Sequence, residues 1–154
     1  MKRMSAAVMV MVFVIVGLLA SAGIAAQGTV KETADFKIMV PDGWEFSDFG
    51  NGAVQTYNKS GSYMVELKKA GSNMSDADVE SGVASIAKQY KGTGPDKVQM
   101  LGLTFYRTTF DRSSMHATLY AALKGGTKIS ITLFGANHET DATMQAVLKS
   151  IELK

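Results

Sequence analysis

The sequence predicts an α+β fold, a single domain in which two helices pack on a mainly antiparallel β-sheet. Strand-like and helix-like runs follow one another in the order βββαβββα, and short, turn-rich connections join the strand-like runs. Hydrophobic residues make up 46% of the 154 residues, which is enough for one buried core. The chain contains no cysteine, so this core has to hold the fold together without disulfide bonds.

Three strands are predicted before the first helix. In the run FKIMVP, Ile38 and Val40 share one face, and Pro41 ends the strand because proline has no N–H for the ladder. The Asp-Gly pair that follows predicts a turn. Strands are also predicted over residues 54–58 and 62–69, and the KSG connection between them favours an antiparallel hairpin.

Two segments have the periodicity of amphipathic helices. Ser75 is predicted to cap the first, with Asp78 as its partner in a capping box, and the GTGP segment at 92–95 is interpreted as a linker that ends it. The N-cap of the second helix is predicted at Asn137 or Thr140. The buried face of the first helix is predicted to be Val79, Val83, Ile86 and Tyr90. The corresponding face of the second is predicted to be Met144, Val147, Leu148 and Ile151.

Three further strands are predicted between the two helices. The run from 97 to 110 contains Gly102, which predicts a bulge or bend within a strand. Strands are also predicted over 115–124 and 127–135. Gly125-Gly126 joins these two strands, and a pair of glycines between β-rich runs is a strong hairpin signal.

Residues 1–26 are predicted to be a secretory signal peptide. Lys2 and Arg3 precede an apolar run that ends in small residues, the pattern typical of an export signal. Cleavage is predicted after Ala22 or Ala26. The alternative is an uncleaved anchor, since the run is long enough to span a bilayer, and membrane contact is predicted only in that case. A lipid anchor is excluded because the lipobox cysteine is missing, and a periplasmic or other extracytoplasmic location is predicted.

The remaining domain, residues 27–154, is predicted to carry no net charge. The chain has 16 Lys and Arg residues and 14 Asp and Glu residues, and Lys2 and Arg3 are the only charged residues before Gln27. Without these two the signs balance, and the charges are scattered along the chain. Such a distribution lacks the basic patch that nucleic-acid binding requires.

The search for catalytic motifs gives no positive result. The two histidines, His116 and His138, do not have the spacing of a metal motif, and both are interpreted as hydrogen-bonded or solvent-facing. Neither a nucleophile elbow, nor a P-loop, nor a dinucleotide fingerprint occurs. The protein is therefore predicted not to be an enzyme, with no catalytic, cofactor-binding or metal-binding residues. The carboxylate pairs are interpreted as favouring helix dipoles, and they are Asp76 with Asp78 and Glu139 with Asp141.

One strand carries a candidate interaction surface. Phe105, Tyr106, Arg107, Phe110 and Arg112 combine aromatic rings with arginine, a composition that protein interfaces favour. In an alternating strand, Phe105 and Arg107 face one side while Tyr106 and Phe110 face the other. The competing interpretation is that one aromatic set fills the core and Arg107 is solvated.

The stretch FKIMVPDGWEF and the C-terminal AVLKSIELK resemble the Mog/PsbP-like superfamily, whose small bacterial envelope members include DcrB-like proteins. The resemblance implies an antiparallel sheet sandwiched by helices. The members of this superfamily are non-enzymatic. They also include an extrinsic subunit of the photosynthetic oxygen-evolving complex and a Ran-binding nuclear transport factor. The matching residues, Phe36, Pro41, Gly43 and Trp44, are interpreted as architectural, with Trp44 covering one end of the core.

The functional expectation is a non-catalytic exported protein that binds another envelope protein. The export signal, the absence of catalytic motifs and the family resemblance all favour it. The alternative is a carrier of a small apolar ligand held between sheet and helix, because methionines can line adaptable pockets. The methionines after the export segment are Met39, Met64, Met74, Met100, Met115 and Met144.

Overall fold

The computed structural model describes residues 26–154, which form ten strands and two helices. In chain order the elements are β1 (Gly28–Glu32), β2 (Phe36–Pro41), β3 (Trp44–Asp48), β4 (Ala53–Asn58), β5 (Met64–Ala70), α1 (Asp76–Tyr90), β6 (Thr93–Met100), β7 (Leu103–Arg112), β8 (Met115–Lys124), β9 (Thr127–Phe134), α2 (Ala142–Ser150) and β10 (Glu152–Leu153).

Two antiparallel sheets organise these strands. The larger has seven strands in the order β3-β4-β5-β9-β8-β7-β6, and the smaller has three in the order β1-β2-β10. On one face of the large sheet, Val79 and Val83 of α1 pack against Tyr106 and Ala121. This contact places α1 over β6, β7 and β8.

The opposite face of the large sheet holds the main core. Ile38 of β2 and Met144 and Val147 of α2 pack there against side chains such as Ile131 and Leu133, all of them fully or almost fully buried. The large sheet therefore lies between α1 on one face and α2 with the small sheet on the other. The mainly antiparallel α+β architecture predicted from the sequence is confirmed, although the observed order of elements contains more strands.

Three strands lie outside the predicted runs, namely β1, β3 and β10. Of these, β3 changes the interpretation of Trp44. Pro41 ends β2 as expected, but Trp44 begins a strand that belongs to the other sheet. Asp42 and Gly43, the latter at φ 79°, therefore form the corner at which the chain passes from the small sheet to the large one. Trp44 is half-buried and packs against the main core, in agreement with its predicted architectural role.

Gly102 does not form the predicted bulge. Leu101 and Gly102 have φ values of 52° and 73° and connect β6 to β7 as a two-residue hairpin turn. Positive φ at both central residues is the feature of a type I′ turn, which matches the twist of the flanking strands. The predicted single strand from 97 to 110 is therefore two strands.

The GTGP segment is not a linker, because most of it belongs to β6. Pro95 lies in this strand, and the pairing with β7 is irregular between Thr93 and Asp96. β6 is the edge strand of the large sheet, and an edge tolerates a residue that cannot donate a ladder hydrogen bond.

The capping box of α1 is confirmed. The Ser75 side chain accepts from the Asp78 N–H, and the Asp78 carboxylate accepts from the Ser75 N–H. The predicted cap of α2 is wrong, because residues 135–140 form turns and Asp141 accepts from the Met144 N–H instead. α2 ends at Ser150, after which the chain forms β10.

The predicted export segment, 1–26, lies outside the described residues except for Ala26. Within the described range, neither helix is long and apolar enough to cross a bilayer.

Candidate functional site

One face of the large sheet is only half covered. α1 packs on β6, β7 and β8, which leaves the same face of β3, β4 and β5 without a helix. The cross-strand pairs Gln55–Glu66 and Tyr57–Met64 lie on this uncovered half. On its other side, β5 pairs with β9. Met64 lies opposite Phe134 there, on the face of the sheet that α1 covers further along.

We call this surface the open face. It consists of Phe49, Gln55, Tyr57, Met64, Glu66, Arg112 and Met115. A shallow cavity of about 420 Å³ lies over it, between the β3–β4 end and Met115. A second cavity of about 260 Å³ continues toward Arg112 and shares Gln55, Met64 and Met115 with the first.

The open face combines apolar and polar side chains. Phe49 is 54% exposed, and within residues 26–154 it is one of two large hydrophobic side chains with such exposure. Met64 and Met115 add flexible, polarizable surface beside it. Glu66 accepts a hydrogen bond from Gln55 at 2.8 Å, and Arg112 is exposed at the far end. Aromatic residues, methionine and arginine are all enriched at protein-binding surfaces.

A groove extends from the open face beneath α1. Its volume is about 270 Å³, and Glu66 lines both it and the open face. Val79, Val83 and Leu119 form apolar walls, while Gly82 leaves the helix side without a side chain. This groove lies between sheet and helix, where the alternative hypothesis places an apolar ligand.

The predicted interaction residues do not form one surface. Phe105, Tyr106 and Phe110 are buried in the core, on alternating faces of β7, and Phe110 stacks on Tyr90 at 5.1 Å. Arg107 pairs with Asp96 at 3.2 Å, and its Nε is buried without a hydrogen-bond partner. Arg112 alone belongs to the open face. The competing interpretation, in which one aromatic set fills the core and Arg107 is solvated, describes this strand only in part, because the aromatic residues of both faces are buried and Arg107 is half-buried.

The sequence predicts no interaction role for most residues of the open face. Met64 and Met115 are expected only as methionines that could line a ligand pocket, and no role is predicted for Phe49. A signal was present, because Phe49 precedes the turn GNG and Gln55 and Tyr57 alternate with the buried Val54 and Thr56. The other methionines lie elsewhere, and Met144 is fully buried in the core.

The two histidines meet on the opposite side of the large sheet. His138 is fully buried, and its Nδ1 lies 2.7 Å from the carbonyl oxygen of Gly135. Its Nε2 lies 2.7 Å from the Thr118 hydroxyl, which is itself 3.0 Å from a carboxylate oxygen of Glu139. The interpretation of His138 as a hydrogen-bonded histidine agrees with this geometry. Burial lowers the pKa of His138 below its ordinary value of 6.5.

His116 stacks on His138, with 5.2 Å between ring centroids, and its Nδ1 lies 2.9 Å from the Asp111 carboxylate. Despite these neighbours, no group of three or more His, Cys, Asp or Glu side chains within residues 26–154 is arranged to hold a metal ion. Of the paired carboxylates, Asp78 is the capping-box partner of Ser75 at the start of α1 and Asp141 is the N-cap of α2, whereas Glu139 lies beside the Thr118 hydroxyl.

A further cavity lies at the β6–β7 turn. It has a volume of about 400 Å³ and is lined by Leu101, Leu103, Ile151 and Leu153. Lys124 borders it, but its ammonium group donates to the Leu153 carbonyl at 2.7 Å. Glu152 also lines the cavity and pairs with Lys37 at 3.3 Å, so both charged side chains at this mainly apolar cavity already have partners.

A seven-stranded antiparallel sheet between helices defines the structural class of this protein, and its fold matches those of solved structures. The chain matches the solution structure of cyanobacterial PsbP (CyanoP) from Synechocystis sp. PCC 6803 with a TM-score of 0.54 and 15% identity, over 90% of this chain and 99% of that one. It matches a crystal structure from Bacteroides thetaiotaomicron VPI-5482 with a TM-score of 0.53 and 13% identity, over 85% of this chain.

The chain spans only 49% of the Bacteroides protein, about half its length. No protein-family model and no curated protein matches the sequence. The described residues thus have a PsbP-like fold, as the resemblance of FKIMVPDGWEF to that superfamily implied.

Proposed function

We propose that this protein is a non-catalytic, exported protein that binds another envelope protein through the open face. The observation that carries the proposal is the exposed Phe49, which follows the edge strand β3 and borders the shallow cavity over the uncovered half of the sheet. Aromatic side chains are enriched at protein interfaces, where a few anchors that become buried on binding carry most of the binding energy. The extracytoplasmic location rests on the export-like pattern of the first 26 residues.

The test is site-specific photo-crosslinking in the native host with the full-length chain. A photoreactive phenylalanine analogue replaces Phe49 in one strain and Val30 in a second. Val30 is a matched control because it is 64% exposed but lies on β1, in the other sheet. A discrete crosslinked protein is expected at position 49 and not at position 30. Equal crosslinking at both positions, or none at position 49, would overturn the proposal.

A second candidate function is transport of a small apolar ligand in the groove beneath α1. The groove favours this function because its walls are apolar and Gly82 leaves the helix side open. Native mass spectrometry of protein purified from its own host tests it. A bound lipid or metabolite of defined mass supports the carrier function, and a mass equal to that of the polypeptide alone contradicts it.

A further inference from the structure

The hydroxyl of Thr118 lies between two groups that both accept hydrogen bonds. A hydroxyl has one hydrogen, yet Nε2 of His138 is 2.7 Å away and a carboxylate oxygen of Glu139 is 3.0 Å away. The Gly135 carbonyl can only accept, so the Nδ1 of His138 that lies 2.7 Å from it carries a proton. In the neutral imidazole Nε2 then has no proton and competes with Glu139 for the Thr118 hydrogen.

We propose that His138, Thr118 and Glu139 form a proton-operated hydrogen-bond switch. In the neutral state the Thr118 hydroxyl donates to Nε2 of His138, and water solvates the exposed Glu139 carboxylate. When Nε2 takes a proton from solvent on its lone pair, the new N–H donates to the Thr118 oxygen. The hydroxyl hydrogen then rotates toward Glu139. No bond other than the new N–H forms, and the net change is the uptake of one proton.

In the protonated state, the geometry gives every hydrogen-bond donor of the cluster a partner. Each hydrogen of the imidazolium and of the hydroxyl then has an acceptor, in the chain Gly135, His138, Thr118, Glu139. A buried N–H without a partner would be costly, and this arrangement avoids it. The backbone carbonyl of His138 also accepts from Gln145 of α2 at 3.1 Å, so the backbone that carries the ring is attached to α2.

The charged and titratable surroundings determine the pH at which the switch operates. Burial and the neighbouring His116 lower the pKa of His138, whereas the Gly135 carbonyl and Glu139 raise it, and the net direction is down. The neutral state therefore prevails at neutral pH, and proton uptake occurs on the acid side of 6.5. The titratable and charged groups around the cluster are His116 and Tyr120 of β8, Arg107 and Asp111 of β7, and Glu139 and Asp141 of the segment before α2.

The switch connects the state of one buried ring to the start of α2. In the protonated form Glu139 is tied to β8 through Thr118, and in the neutral form its carboxylate is free of that bond. Acidification of an extracytoplasmic compartment would thus change how residues 135–141 attach to the large sheet.

The test is nitrogen-15 NMR of the full-length labelled protein as a function of pH. At neutral pH the His138 ring is expected to be the Nδ1–H tautomer. Glu139→Gln is expected to reduce the proton affinity of His138 about threefold, the scale of a partly exposed charge interaction. Glu80→Gln, a carboxylate on α1 across the sheet, is the control and should leave that affinity unchanged.

A double-mutant cycle with Thr118→Val separates the hydroxyl relay from a direct effect of charge. If the relay operates, Glu139→Gln has a smaller effect on His138 in the Thr118→Val background than in the parent protein. Thr118→Ser keeps a hydroxyl and should preserve the coupling, and Thr118→Ala removes the hydroxyl if the valine variant does not fold. An Nε2–H tautomer at neutral pH, or the same Glu139→Gln effect with and without the hydroxyl, would overturn the proposal.

Discussion

At the scale of single residues, the buried and the exposed side chains have different consequences. His138 is fully buried among polar partners, and Trp44 is half-buried against the apolar core. Phe49 is exposed on the open face. Substitution of His138 or Trp44 should therefore change the free energy of folding, through hydrogen bonding and protonation for His138 and through apolar burial for Trp44. Substitution of Phe49 should change binding alone.

His138 makes stability depend on pH. The unfolded chain has a histidine pKa of about 6.5, and burial lowers the folded value, so the unfolded state binds more protons below 6.5. This contribution to stability is fully present above about 6.5 and is lost as pH falls through the folded pKa. Urea unfolding measured at successive pH values is expected to show this loss, and His138→Gln should remove it.

The comparison variant for that prediction is His116→Gln, which removes a minor cause of the lowered His138 pKa but leaves the buried ring in place, so most of the loss of stability at acid pH should remain. Hydrogen bonds from Lys154 and Ser75 lower the pKa values of Glu32 and Asp78, and these carboxyl groups titrate at more acid pH. An unchanged pH slope in His138→Gln would assign the acid sensitivity to another group.

Trp44→Ala is expected to destabilise the protein by about 2–3 kcal/mol. Full burial of a large aromatic gives about 3–5 kcal/mol on truncation, and Trp44 is only half-buried. Phe49→Ala is the surface control, for which a change within about 0.5 kcal/mol is expected. Denaturant unfolding of both variants measures the difference. Equal stability of Trp44→Ala and the parent protein would contradict the architectural interpretation of Trp44.

At the scale of elements, the sequence predicts those strands and caps that local residue patterns specify. β2, the β4–β5 hairpin and the capping box of α1 were predicted because alternation, turn residues and Ser75 with Asp78 specify them locally. β1 was not predicted because all of its residues are exposed and it has no apolar alternation. β10 has only two residues, and its pairing with β2 is set by the tertiary fold.

The turn between β6 and β7 shows a different limit. Asn-Gly is the common signal for a type I′ turn, and here Leu101 occupies the position where asparagine is usual. Since Leu101 also packs against the main core, tertiary contacts compensate for its positive φ. The sequence therefore pointed to an irregularity at Gly102 but not to its type.

The end of α1 offers a prediction for an element. Lys91, the exposed C-cap, has a φ of 54° in the left-handed region, where glycine carries no steric penalty. Lys91→Gly is expected to raise the free energy of unfolding by about 0.4–1 kcal/mol. The control is Lys88→Gly in the last turn of the same helix, expected to lower it by about 1 kcal/mol. Thermal and urea unfolding compare the two, and destabilisation by both would contradict the assigned cap.

At the scale of the whole molecule, the candidate site arises from long-range pairing. β5 pairs with β9, and this contact brings Met64 beside Phe134 although some 70 residues separate them. Met115 joins the same surface from the start of β8. No local pattern specifies these neighbours, so the open face could not be predicted even where its strands were. The extent of α1 then decides which half of the sheet stays uncovered.

Gly82→Leu separates the two proposed functions, because Gly82 lines the groove beneath α1 and lies apart from the first cavity of the open face. A Cβ added at Gly82 meets no atom within 4 Å, so a larger side chain can fill the groove. Replacing a mid-helix glycine by leucine is also expected to stabilise the fold by about 0.5–1 kcal/mol, whichever function the protein has.

The two functions predict different outcomes for Gly82→Leu. If the protein carries an apolar ligand in the groove, the variant loses that ligand in native mass spectrometry. If it binds a partner through the open face, crosslinking at position 49 persists in Gly82→Leu, and loss of that crosslink in a folded variant would place the partner's contact at the groove.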